Sequence, residues 1–195
     1  MEKKKILIIM ASPRKGGNTE ILTDELIKGI NNGVGAEVDL VNLRDKDIVG
    51  CKEIYACEKT GRCVIPDSFD EIYEKLEKCD CLVIATPIFF YAPPAQLKAL
   101  IDRSQAFFMR KYFLKDPVVP KDQPKRPTYL LALGGTKGAK LFDATFLILE
   151  YFLDSLDLEL KDSLLYRSVD KKGDVLKHPT ALKDAYELGV KIASD

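Results

Sequence analysis

The sequence contains no tryptophan and a single histidine, and its 30 basic residues cancel its 30 acidic ones. Zero net charge removes the electrostatic argument for nucleic-acid binding, which needs a surplus of Lys and Arg against phosphate. No apolar run approaches the roughly 20 residues that a membrane-crossing helix requires. The one histidine, His178, directly precedes Pro179. No Ser/His/Asp arrangement can be built around it, and it reads as a capping or surface residue at a helix start. Five cysteines make no even disulfide framework. They are expected to stay reduced, which suits a cytoplasmic protein. The N-terminus runs straight into an apolar strand, so no signal peptide is expected. Two familiar phosphate fingerprints, Gly-x-x-x-x-Gly-Lys-Ser/Thr and Gly-x-Gly-x-x-Gly, are missing as well.

What is present is a chain of 195 residues, 46% apolar and 31% charged. That is enough for a single domain, 1–195, with a sizeable core. Residues 6–10 form a continuous apolar run, as in a strand buried on both faces. From Glu20 onward, Ile21, Leu22, Leu26, Ile27 and Ile30 recur at helical spacing, and Asn31-Asn32-Gly33 ends that helix. Further strands are predicted at 37–42, 82–85, 129–133 and 158–166. Further helices are predicted at 69–78, from Pro93 or Pro94 through Phe107, at 142–156 and at 179–193. Two stretches carry no regular pattern: 44–68, an insertion loop with three cysteines, and 112–127, a loop with four prolines. Alternating strands and helices argue a parallel sheet covered on both faces. Five strands in this length predict a three-layer α/β architecture, a flavodoxin-like doubly wound parallel sheet in the order 2-1-3-4-5.

In such a sheet ligands bind at the carboxyl ends of the strands, where strand order reverses. Three loops fall there: 12–19, 86–93 and 134–138. The first leads directly into a helix, whose first turn offers unpaired N–H groups and the positive end of the dipole. Gly16 and Gly17 let the backbone curl around an anion, Ser12, Asn18 and Thr19 add short donors, and Arg14 adds charge. With no triphosphate fingerprint, a single phosphate monoester suits this loop best. The second loop carries Pro87, Ile88 and the aromatics Phe89, Phe90 and Tyr91, which can cover a flat ring. The third, Gly134-Gly135, has no side chains to obstruct such a ring and exposes backbone N–H groups. A phosphate at the first loop and a planar ring between the other two describe FMN.

Three stretches also carry a resemblance. Ser12-Pro13-Arg14 through Gly17-Asn18-Thr19 is one. Thr86-Pro87-Ile88-Phe89-Phe90, followed by Gln96-Leu97-Lys98 and Ile101-Asp102-Arg103, is the second, and Gly134-Gly135 is the third. With these the chain resembles the NAD(P)H-dependent FMN reductase family, and more closely its iron–sulfur flavoprotein branch. The resemblance implies FMN bound by Ser12, Arg14, Gly17, Asn18, Thr19, Pro87, Ile88, Phe89, Phe90, Gly134 and Gly135, with NAD(P)H as co-substrate. It implies no dedicated catalytic side chain, and homodimers or homotetramers with the flavin near a subunit interface, where Arg103 could face. Lys98 and Asp102, four apart on a helix, are expected to pair at the surface. Phe89 departs from the family's frequent Tyr.

The larger departure lies in the cysteines. Cluster-bearing relatives arrange Cys-x-x-Cys-x-x-Cys with a fourth shortly after. Here Cys51, Cys57 and Cys63 remain and Ile54 occupies the second position. A four-iron cluster needs four thiolates, so a cluster is not expected. The alternatives are a three-iron cluster on these three cysteines or recruitment of Cys79 or Cys81. The expected chemistry is hydride transfer from NAD(P)H to FMN, then electron transfer to a small-molecule or redox-protein acceptor: a quinone, flavin, nitro or azo compound, or metal ion. The rival is a non-enzymatic electron carrier. Such carriers are typically acidic to dock on basic partners, and this chain is neutral.

Overall fold

The computed structural model describes residues 3–33 and 36–194. Its strands are β1 (Lys4–Met10), β2 (Ala36–Asn42), β3 (Cys81–Pro87), β4 (Arg126–Leu133) and β5 (Leu158–Tyr166). Its helices are α1 (Asn18–Asn32), α2 (Cys57–Thr60), α3 (Phe69–Lys78), α4 (Ala95–Arg103), α5 (Gln105–Tyr112), α6 (Asp143–Ser155) and α7 (Ala181–Ser194). The five strands form one sheet in the order β2-β1-β3-β4-β5, every neighbour parallel. This is the topology read from the sequence.

Strand alternation decides which face each residue serves. Ile6, Ile8 and Met10 of β1 face α1 and α7, joined by Leu22, Leu26 and Ile30 of α1. Leu7 and Ile9 face the opposite layer with Phe69, Ile72 and Tyr73 of α3, Leu97 of α4, Phe107 of α5 and Phe152 of α6. Both faces of β1 and β3 are therefore apolar, which accounts for their unbroken hydrophobic runs. Register sets Met10 opposite Asn42 and Ala85, and Leu133 opposite Pro87 and Tyr166. The carboxyl ends of the strands thus stop level, and the loops that follow stand side by side.

The helix expected to run through Phe107 is two helices. Ser104 interrupts it with ψ near 1°, and its hydroxyl donates to the Leu100 carbonyl at 3.0 Å. A serine bonding back to the preceding turn bends a helix. The second piece then runs to Tyr112, into the stretch expected to be loop. His178 acts as the cap the sequence suggested: its Nδ1 accepts the N–H groups of Thr180 and Ala181 at 3.3 and 3.1 Å. Among the described residues, no helix is long and apolar enough to cross a membrane.

Candidate functional site

The level strand ends are tied together beyond the sheet. Ala11 N–H donates to Ala85 O, Ile88 N–H to Leu133 O and Gly134 N–H to Tyr166 O, at 2.8–2.9 Å. Between these tethered loops lies a cavity of about 150 Å³ at the β1/β3 switch point. Its floor and one wall come from Ser12, Pro13, Arg14, Gly17, Asn18 and Thr19. Pro87, Ile88 and Phe89 form a second wall, and Leu133, Gly134 and Gly135 a third. Larger depressions occur elsewhere, one of 620 Å³ along α6 and one of 370 Å³ beside α3. Both lie toward the amino ends of the strands, away from the edge where this architecture binds ligands.

The first loop is built as an anion cradle. Gly17 is the N-cap of α1 and carries no side chain to satisfy the first-turn N–H groups, which remain available at the cavity. Gly16 holds φ +62°, a conformation other residues adopt at a cost. Its N–H donates to Glu20 Oε2 at 2.8 Å, and Arg44 donates to the same oxygen at 2.7 Å. Burial alone would raise the Glu20 carboxyl; Arg44 and the Gly16 N–H outweigh it and hold it below its ordinary range. The one acidic side chain in the first turn of α1 is thus folded back and neutralised. Arg14 reaches across to the Asp170 carbonyl at 3.1 Å, and the Lys172 ammonium lies over Gly16 beside the Lys15 carbonyl.

Ten of the eleven residues expected at the site line this one cavity. Phe90 does not. It is fully exposed, with φ +49°. Asn18 lines the cavity, but its carboxamide is committed elsewhere. Its Nδ2 donates to Lys171 O at 2.9 Å, and its Oδ1 accepts the N–H groups of Gly173 and Val175 at 2.9 and 3.3 Å. What Asn18 offers an anion is its backbone N–H. Its side chain instead holds in place a fourth wall that sequence reasoning missed, Val169 and Asp170 after β5. The signal was available. Ser168-Val169-Asp170-Lys171-Lys172-Gly173 follows a strand, so topology sends it to the same edge as the other loops. We expect Asn18→Ala to release residues 170–175, read as lost amide-exchange protection. FMN affinity should fall about fivefold, the worth of one net hydrogen bond of about 1 kcal/mol. Unchanged exchange in that segment would show that Asn18 does not hold it.

The flat part of the cavity depends on Gly134 and Gly135. A Cβ on Gly135 would stand 3.0 Å from the Asp170 side chain, and one on Gly134 would press on Leu141 at 3.1 Å. Residues 4–154 match the family model of NADPH-dependent FMN reductase. The chain belongs to that family. An iron–sulfur flavoprotein of Methanosarcina thermophila is 39% identical over 58% of this chain and 59% of its own. The chain's match spans about half the length of this and two further iron–sulfur flavoproteins. Bacillus subtilis YwqN, described as a candidate NAD(P)H-dependent FMN-containing oxidoreductase, is 27% identical over 94% of this chain and 96% of its own. Among solved structures, an azoreductase of Bacillus anthracis superposes with TM-score 0.71 at 17% identity, covering 96% of this chain and 99% of that one. An NAD(P)H:quinone oxidoreductase of Methanothermobacter marburgensis gives 0.69 at 15% identity, covering 97% and 96%. At those identities the two structures establish the shared fold. The residues lining the cavity of this FMN reductase family member are chemically compatible with FMN. The uncapped helix start and Arg14 suit its phosphate, and the side-chain-free backbone of Gly134 and Gly135, beside Ile88, suits a planar ring.

The donor set for a four-iron cluster is incomplete in this chain, with Ile54 at the second position. Cys51 is exposed, Cys57 and Cys63 are partly buried, and Ile54 sits between Glu53 and Tyr55, both at positive φ. The Cys63 Sγ accepts a hydrogen bond from Arg103 Nε at 3.1 Å. Burial raises the Cys57 thiol above its ordinary value, and the neighbouring Cys63 and Cys51 raise it further. Among the described residues, no three His, Cys, Asp or Glu side chains are placed to hold a metal ion. Cys79 and Cys81 cannot complete the set. They are buried in the cores on opposite faces of the sheet, and burial pushes the Cys79 thiol up to about 11. Arg103, which could have faced a subunit interface, is instead buried within the chain. It is 1% exposed and organises this segment from inside, with Asp67, Val49 O and Ile65 O as its further partners. Lys98 and Asp102 do pair at the surface, at 2.7 Å.

Proposed function

We propose that this protein is an FMN-dependent oxidoreductase that takes hydride from NAD(P)H and passes electrons to a second acceptor. The acceptor classes are a quinone, flavin, nitro or azo compound, metal ion or redox protein. The observation that carries the reading is the convergence, at one switch point, of an uncapped helix start with a side-chain-free glycine wall. The family match and the name of YwqN support it. When bound, FMN supplies hydride and single-electron chemistry. The chain's part is to bind and orient. Asn18 and Thr19 N–H groups with Arg14 would hold the phosphate, while Ile88 and Phe89 would lie against the ring. Hydride passes directly between nicotinamide and flavin, so no side-chain acid–base pair is needed for that step; the charged residues lining the cavity are Arg14 and Asp170.

The proposal extends to the cluster and to assembly. With three thiols and Ile54, the cysteine segment keeps its length without a metal. The protein is expected to form homodimers or homotetramers, and to work without nucleic acid or a membrane. The neutral charge favours the enzyme over a bare electron carrier. Anaerobic purification followed by an absorption spectrum and an iron assay tests the cofactors. Flavin bands with no iron, plus steady NAD(P)H turnover with an artificial acceptor, are expected. Bound iron would overturn the metal-free reading. Bound flavin without NAD(P)H turnover would indicate a carrier, and failure to take up FMN would sink the function altogether.

A further inference from the structure

Phe89, Phe90, Tyr91 and Ala92 form a two-residue hairpin at the cavity's rim. Phe89 N–H donates to Ala92 O at 2.9 Å, and Ala92 N–H returns to Phe89 O at 3.0 Å. The two residues between them, Phe90 and Tyr91, hold φ +49° and +64°. That pair of left-handed positions is normally taken by Asn-Gly, because bulky L-residues are strained there. Single exposed apolar side chains are ordinary; a phenylalanine held out by a strained backbone is not. Phe90 is 104% exposed, so no packing within the chain compensates for the strain.

The tip is fixed in position. Tyr91 is seated on Gly138, where a Cβ would stand 2.2 Å from its hydroxyl oxygen. Arg167 in turn donates to the carbonyls of Gly138 and Ala139 at 3.2 and 3.0 Å. On its other side the tip continues directly into Phe89, which lines the cavity. Phe90 therefore stands on a braced bridge between the two loops that flank the proposed flavin ring. The cavity, at about 150 Å³, is smaller than the roughly 300–1,000 Å³ usual for a whole ligand site. The remainder of a bound assembly has to extend past this rim.

We propose that Phe90 is a specificity-determining residue, an aromatic platform at the rim for the planar ring of the second reactant. That reactant is the nicotinamide or a quinone-type acceptor. The inference rests on reading the cavity as the FMN site. Strain is tolerated at functional positions because the surroundings over-determine it, and here both flanking loops do so. Phe90 is thus distinct from the flavin contacts among which sequence reasoning had placed it.

The test compares Phe90→Asn with Phe90→Trp in the FMN-loaded protein. Asn accepts the left-handed turn and removes the ring; Trp keeps a ring. KM is measured for NAD(P)H with ferricyanide, an acceptor without a ring, and for 2-methyl-1,4-naphthoquinone at saturating NAD(P)H. In Phe90→Asn at least one of the two KM values should rise about three- to tenfold, the size of one aromatic pair contact. Phe90→Trp should restore it. The NAD(P)H arm rising would assign the ring to the nicotinamide, and the quinone arm to the acceptor. The melting temperature of Phe90→Asn should hold or rise, because strain is relieved. Both KM values unchanged, or a lower oligomer mass by sedimentation in Phe90→Asn, would overturn the proposal, the latter by assigning the ring to a second copy of the chain. Failure of the wild type to bind FMN would instead defeat the reading of the cavity itself.

Discussion

Gly17→Asp is expected to raise the FMN dissociation constant about 100- to 1,000-fold. Gly17 sits at the N-cap of α1 with φ −83° and ψ 177°, an extended conformation that any residue adopts. An aspartate there is a favoured helix cap, and its carboxylate accepts the N–H groups of the first turn. Those are the donors a phosphate needs. Loss of about two charge-assisted hydrogen bonds, each taken at about 1.5–2 kcal/mol, the lower part of their usual range, accounts for a change of that size. Like-charge repulsion works in the same direction. The fold should survive, since the new Cβ meets only Arg14, its carbonyl at a tight 3.1 Å and its Cβ and Cδ at 3.4 Å, and the cap offsets that contact. Fluorescence titration with FMN, alongside a thermal melt of the apoprotein, reads both quantities. Full flavin affinity in a folded Gly17→Asp protein would remove the phosphate from this loop.

Arg103→Met is expected to lower the melting temperature by about 6–20 °C without touching the flavin loops. Arg103 is fully buried against Asp67, donating from Nη1 at 2.6 Å and Nη2 at 3.2 Å. It also donates to Val49 O at 2.8 Å and Ile65 O at 3.1 Å, and its guanidinium stacks 4.7 Å from the Phe69 ring. One side chain from α4 thereby closes the segment from Val49 to Asp67. Removing the cation leaves Asp67 buried and unpaired, which costs about 3–5 kcal/mol. In a domain of this size each kcal/mol moves the midpoint by about 2–4 °C.

The pH dependence carries a sign. In the native protein burial alone would raise the Asp67 carboxyl, but Arg103 and the N–H groups of Val49 and Phe69 outweigh it and hold it low. A depressed carboxyl contributes stability above its unfolded value of about 3.9, and that contribution is lost as pH falls through the folded value. In Arg103→Met burial acts without the cation, so the carboxyl shifts upward and its protonation relieves the penalty. The gap in melting temperature between the two proteins should therefore narrow as pH falls toward 4, near the unfolded carboxylate value of about 3.9. A gap that widens on acidification would show that Asp67 is not the group left unpaired.

These two positions differ in how far the sequence revealed them. Gly17 was legible because its role is local: a glycine between an apolar strand and a helical pattern is a short-range signal. The continuous apolar runs at 6–10, 82–85 and 129–133 were legible for a related reason. A strand buried on both faces has no polar alternation, so the run itself announces a covered parallel sheet. From that topology the edge bearing the ligand loops follows. Arg103 was not legible. A lone arginine late in an amphipathic helix reads as solvent-facing, and its burial depends on Asp67, 36 positions away.

The sequence by itself determined the sheet order, the edge where the loops converge and ten of the residues that line the cavity there, because strand burial, turn chemistry and helix starts are written in neighbouring positions. Tertiary structure alone decided the rest. It set Asn18 to holding a chain segment 153 to 157 residues away rather than facing the ligand with its amide. It added Asp170 to the cavity and turned Phe90 out of it. Each of these is a choice of hydrogen-bond or packing partner between segments remote in the chain. Such choices depend on which backbone groups are left unpaired once the sheet has closed, and no local pattern contains that information.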